Sequence, residues 1–249
     1  MKYAILTLIF TATFLVSPAF TSFTGFEASQ LPIPQVDPPI QPAGYAFSIW
    51  GLIYAWLAAS AIFGILKRAD DPAWERPRKF LIVSLAIGTP WLWVATQSPI
   101  WATVLIIAMA GFAIAALLTA PRLFDRLWFQ TPVALYAGWL TAASFVSLGS
   151  TLAGYGILMD SWGWALTGIT GALIVSVAVY WQRKSAPEYL FPVIWALIGI
   201  IVANGYDVIA VSYVAAAGII ALLVVLGAAQ VMRRGFRASL DVSTSGTAG

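Results

Sequence analysis

The chain has 249 residues, 61% of them hydrophobic and 9% charged, with no cysteine and no histidine. Soluble domains carry about 25% charged residues, so this composition excludes a water-soluble fold. The 13 basic residues exceed the 10 acidic ones, for a net charge of +3.

Uncharged runs of about 18 or more residues mark membrane-spanning helices, and eight occur here. The first, 3–20, follows Lys2 and ends in Ser17-Pro18-Ala19. Its apolar length exceeds the roughly 7–15 residues of a signal-peptide core, so it reads as a helix; a cleaved secretory signal is the alternative. A loop, 21–41, follows, with Pro32, Pro34, Pro38 and Pro39 and with Pro42 directly after it. Such a segment is extended and ordered by contacts rather than by its own hydrogen bonds.

The second run, 43–66, carries Trp50 and Tyr54 four apart on one helix face. A basic loop with Lys67, Arg68, Trp74, Arg76, Arg78 and Lys79 leads to the third run, 80–97. There Pro90 removes one backbone bond, and Trp91 and Trp93, two apart, cannot both point inward. Only Ser98 and Pro99 separate this run from the fourth, 100–120, which predicts a tight antiparallel hairpin. Arg122 and Arg126 precede the fifth, 129–152, which holds Tyr136 and Trp139. The sixth, 162–181, ends at Arg183 and Lys184; the seventh, 189–206, and the eighth, 208–232, are separated by Asp207. Segment 42–53 aligns without gaps on 187–198, a weak internal echo. The tail, 239–249, is rich in Ser, Thr and Gly and reads as disordered.

A lipid-exposed backbone must satisfy its hydrogen bonds within each segment, and barrel strands would alternate in polarity. The class is therefore all-α: a polytopic transmembrane bundle of about eight helices. All 13 basic residues fall in alternate loops and at the termini, whereas the loops on the other face carry Glu27, Asp37, Asp160 and Asp207 and no base. This one-sidedness predicts a cell (inner) membrane protein with both termini cytoplasmic, and it makes the basic excess a mark of orientation, not of nucleic-acid binding.

Without His or Cys the usual zinc, copper and haem-iron ligands are missing, so no metal site is expected. No lysine or acidic residue lies within a run, which argues against a Schiff base or an intramembrane ion relay. No catalytic residues emerge. The distinctive component is tryptophan, twelve in all. Trp101, Trp128, Trp162, Trp164 and Trp181 lie at run ends, where interfacial anchoring accounts for them. Trp50, Trp56, Trp91, Trp93, Trp139 and Trp195 lie at hydrocarbon depth, where a buried indole N–H seeks an acceptor; either core packing or an aromatic cavity explains them. Trp50 and the Trp91/Trp93 pair share the outer half, beneath the proline-rich loop, where a flat apolar ligand could bind.

In QPAGYAFSIWGLIY the spacing Pro42, Trp50, Tyr54 resembles the second helix of the TspO/MBR family of tryptophan-rich sensory proteins, also called translocator or peripheral-benzodiazepine-receptor-like proteins. Trp91 matches that family's third-helix tryptophan, and Pro132, Tyr136 and Trp139 resemble the opening of its fifth helix. Ser48, Gly88 and Ser144 depart from the family's usual proline and asparagines. The resemblance covers about residues 1–152 as a five-helix part; 153–238 would add three helices.

It implies a sensory or receptor-type protein that binds a tetrapyrrole such as porphyrin or haem, or a sterol, within the bundle. Ligand-binding residues would be Trp50, Tyr54, Trp91, Trp93, Tyr136 and Trp139, and a homodimer in the lipid bilayer is implied as well. Light-dependent porphyrin breakdown is a further proposal made for the family. The rival reading is a small-molecule transporter or permease, suggested by eight helices, the internal echo, Pro90, and Asn204 with Asp207. A purely structural membrane subunit is the third.

Overall fold

The computed structural model describes residues 1–21, 25–121, 125–205 and 208–245, with side chains given to residue 231. The described residues form helices and turns: α1 (Lys2–Val16), α2 (Ile49–Lys67), α3 (Pro72–Gln97), α4 (Pro99–Thr119), α5 (Thr131–Gly154), α6 (Ser161–Gln182), α7 (Leu190–Asn204) and α8 (Ile209–Ser245). Eight helical segments are long and apolar enough to cross a bilayer. The chain is a multi-pass membrane protein, and the all-α expectation holds.

Helix starts follow local chemistry. Asp71, Ser98 and Asp160 each accept a backbone N–H from the first turn of α3, α4 and α6, and Pro72 and Pro99 stand where a missing N–H costs nothing. With α3 ending at Gln97 and α4 beginning at Pro99, the two form the expected hairpin. Helix α3 continues unbroken through Pro77 and Pro90.

Helix α5 is the axis of the bundle: 78% of its span is buried, against 22–50% for the others. Its neighbours are α4, α6, α7 and α2. Small residues permit this enclosure. A β-carbon at Gly138 would collide with the Tyr189 carbonyl, so glycine there lets the turn before α7 lie directly on α5. Along α5, hydroxyls join neighbouring helices: Thr103 Oγ1 lies 2.7 Å from Ser147 Oγ and 2.8 Å from Thr151 Oγ1, and Thr141 Oγ1 lies 2.8 Å from Tyr189 Oη. Such bonds between apolar helices contribute about 1 kcal/mol each.

The basic end corrects one expectation. The sequence places Trp74, Arg76, Arg78 and Lys79 in a loop, but α3 begins at Pro72 and carries all four. Trp74 is buried, donates its indole N–H to Asp125 Oδ2 at 3.1 Å, and lies 4.9 Å beneath the Arg78 guanidinium. Arg78, also buried, donates to the Gly64 and Arg68 carbonyls at 2.8 and 2.9 Å, satisfying the open end of α2. Arg183 does the same for α4 through the Ala120 carbonyl, at 2.6 Å. Asp125 holds Arg68 by paired bonds of 2.6 and 3.1 Å, which raises the guanidinium's already high pKa. Arg122 lies outside the described residues. At the other terminus α8 runs on to Ser245, so residues 239–245 of the expected disordered tail have helical backbone; 246–249 lie outside the described residues.

Candidate ligand cavity

Helix order places the first half of α2, the second half of α3 and the middle of α5 at one depth, away from the basic end. Between them is a cavity of about 310 Å³. Phe47, Trp50 and Tyr54 line it from α2 and the turn before it, Trp91 and Leu92 from α3, and Trp139 from α5. Pro18 and Thr21 close it beside α1, and Ala196 of α7 forms part of the far wall. Among the described residues no charged side chain lines it.

Trp50 and Tyr54, four apart, stack with centroids 5.1 Å apart and planes 22° from parallel. Trp139 meets Trp50 edge-on at 6.2 Å and Phe47 at 6.1 Å. From behind, Phe14 of α1 makes T-shaped contacts with Trp50 at 5.8 Å and with Tyr54 at 5.4 Å. Stacked and edge-to-face contacts of this kind fix the ring planes that bound the cavity. The indole N–H groups of Trp50 and Trp139 and the Tyr54 hydroxyl bond to no described residue, while Trp91 donates to the Ala102 carbonyl at 2.8 Å. Ser150 Oγ, buried and lining the cavity, also has no hydrogen-bond partner among the described residues.

Of the six residues the sequence singled out, Trp50, Tyr54, Trp91 and Trp139 line one space. Tyr136 lies behind them: fully buried, it touches Phe14 at 5.7 Å and pairs its hydroxyl with Ser84 Oγ at 3.0 Å. Trp93 is 62% exposed on the outer face of α3 and lines a separate surface groove against α1. Spacing alone foresaw that Trp91 and Trp93 diverge; only the packing of α3 reveals which turns inward. Sequence reasoning missed Phe14, Phe47 and Ala196. Phe47 lies one helical turn before Trp50, a usable signal, whereas Ala196 lines the cavity and Phe14 backs its aromatic wall through contacts distant in sequence. Among the tryptophans assigned to interfaces, Trp164 is instead folded inward, donating to the Ile157 carbonyl at 2.7 Å.

The proline-rich loop covers the cavity. Its ends line it through Gly25, Phe26 and Gln41. Its middle is fastened to the bundle: Gln30 Nε2 donates to the Ala95 carbonyl at 3.0 Å and the Ile33 N–H to Gly154 at 2.8 Å. Ile40 fills a notch between α5 and α6 opened by Gly149 and Gly168.

A sequence profile of the family described as TSPO-like protein matches residues 3–228, from α1 into α8. No curated protein and no solved structure matches the chain.

Proposed function

The chain belongs to the TSPO-like protein family, and from that premise we propose that it is a sensory or receptor-type membrane protein binding a tetrapyrrole or another planar hydrophobic ligand in the aromatic cavity. The observation that carries this reading is an uncharged, aromatic-walled space with two indole N–H groups and a phenol that bond to no described residue. Aromatic faces accept a flat apolar ring, and unpaired donors favour one with hydrogen-bond acceptors at its edge. About 310 Å³ is at the lower end of small-molecule sites, so a macrocycle inserts by one edge and extends under the loop. With no histidine or cysteine in the chain, stacking rather than an axial imidazole or thiolate holds it.

The one-sided basic residues favour cytoplasmic termini, so the cavity faces the outer half of the membrane. We keep the division at residue 152: 1–152 supplies the aromatic walls and 153–238 completes the cavity through Ala196, with the family match running across both. The test is titration of purified protein with protoporphyrin IX, haem and a sterol, following tryptophan emission. Saturable quenching by a planar ligand is expected, and its absence for all three refutes the reading. The permease reading predicts instead uptake of a solute into proteoliposomes.

A further inference from the structure

Resting on the cavity as a ligand site, we propose that Asn204 of α7 is a positioning residue, the latch that holds the proline-rich loop closed, so that α7 governs how long a ligand stays. Asn204, buried, donates through Nδ2 to the Pro39 carbonyl at 2.8 Å and to the Ile200 carbonyl of its own helix at 2.8 Å. Two further bonds continue the seam. The Ala43 N–H donates to the Gly199 carbonyl at 3.0 Å, and Trp195 Nε1 donates to the Ala46 carbonyl at 2.9 Å. Ala46 belongs to the 3₁₀ turn Gly44–Ser48 that leads directly into Trp50.

The loop is therefore pinned on two sides. Its middle is tied to α3 and α5 through Gln30 and Ile33, and the rest of its second half to α7. Proline at 38 and 39 withholds backbone donors from this second half, which consequently depends on bonds offered from outside. Asn204 offers one from a side chain, so the bond can be removed without altering any backbone. Ligand exit past Gly25 and Gln41 requires the loop to lift, and lifting its second half breaks the Asn204 bond.

The test uses the full chain in lipid nanodiscs and protoporphyrin IX as probe. Asn204→Ala should speed hydrogen exchange at the Gln41 and Ala43 amides and protoporphyrin release by about five-fold, the worth of one hydrogen bond. Asn204→Asp, which keeps the shape and loses the donor, should behave likewise, whereas exchange at Ile33, on the other anchor, stays as in the parent. Unchanged exchange in both variants overturns the latch, and so does faster exchange with unchanged release. A parent protein that fails to bind protoporphyrin refutes the ligand reading and leaves the exchange measurement to decide whether Asn204 holds the loop. If neither Asn204 variant folds, Trp195→Phe removes the N–H offered to Ala46 while keeping an aromatic ring beside Tyr45, and should produce the same two accelerations; their absence overturns the proposal.

Discussion

Replacing Trp50 by alanine separates a ligand wall from core packing. Trp50 offers one aromatic wall of the cavity and is held by Tyr54 at 5.1 Å, Phe14 at 5.8 Å and Trp139 at 6.2 Å. Loss of a stacking face for a planar ring costs about 1–3 kcal/mol, or roughly 5- to 150-fold in affinity. The same substitution deletes ring contacts worth about 0.5–1.5 kcal/mol each, so the melting temperature falls as well. Both effects must be read on one preparation, with affinity taken from protoporphyrin absorbance because the variant lacks one reporter tryptophan. Trp93→Ala is the control: it removes an indole of equal size from the lipid-facing side of the same depth, and affinity should stay within two-fold, about 0.4 kcal/mol. Undiminished affinity in Trp50→Ala beside a large fall in melting temperature would reduce Trp50 to a packing residue and refute the cavity assignment.

Ala196→Phe projects a ring into the cavity from α7 and should lower protoporphyrin affinity at least ten-fold, about 1.4 kcal/mol, in protein that still elutes as a folded species; equal affinity would mean that α7 does not bound the site. Arg78→Met leaves the Gly64 and Arg68 carbonyls without their charged donor, at about 1.5–3 kcal/mol for each bond, so thermal stability should drop while affinity holds, as measured by melting and titration in parallel. Single cysteines at Val36 or Leu158, both exposed, should react with a membrane-impermeant thiol reagent added outside intact cells, and cysteines at Ala73 or Gln182 should not; outside labelling of Ala73→Cys would reverse the orientation.

The helix number was legible because spans of this length and polarity admit few alternatives, and Trp50 with Tyr54 because a separation of four fixes a shared face. The inward turn of Trp91 was half legible, since periodicity excludes the pair but does not choose between its members. Trp74 and Arg78 escaped because charge was read as solvation; Asp71-Pro72 was the available signal that α3 starts before them. The part played by α7 was hidden for a different reason. Asn204 could be noticed as a polar residue near the end of an apolar run, but its partner, Pro39, is 165 positions away, and no local pattern encodes such a contact.

That separation also bears on biosynthesis. At about 5–20 residues per second, a ribosome needs roughly 8–33 seconds to pass from Pro39 to Asn204, whose separation is 165 residues. Throughout that interval the nascent chain carries the proline-rich loop and the helix that bears Trp50 without the segment to which they fasten. Chains released before α7 emerge lack the donors for Pro39 and Ala46 and the wall at Ala196, so quality-control proteases meet them with the loop still loose.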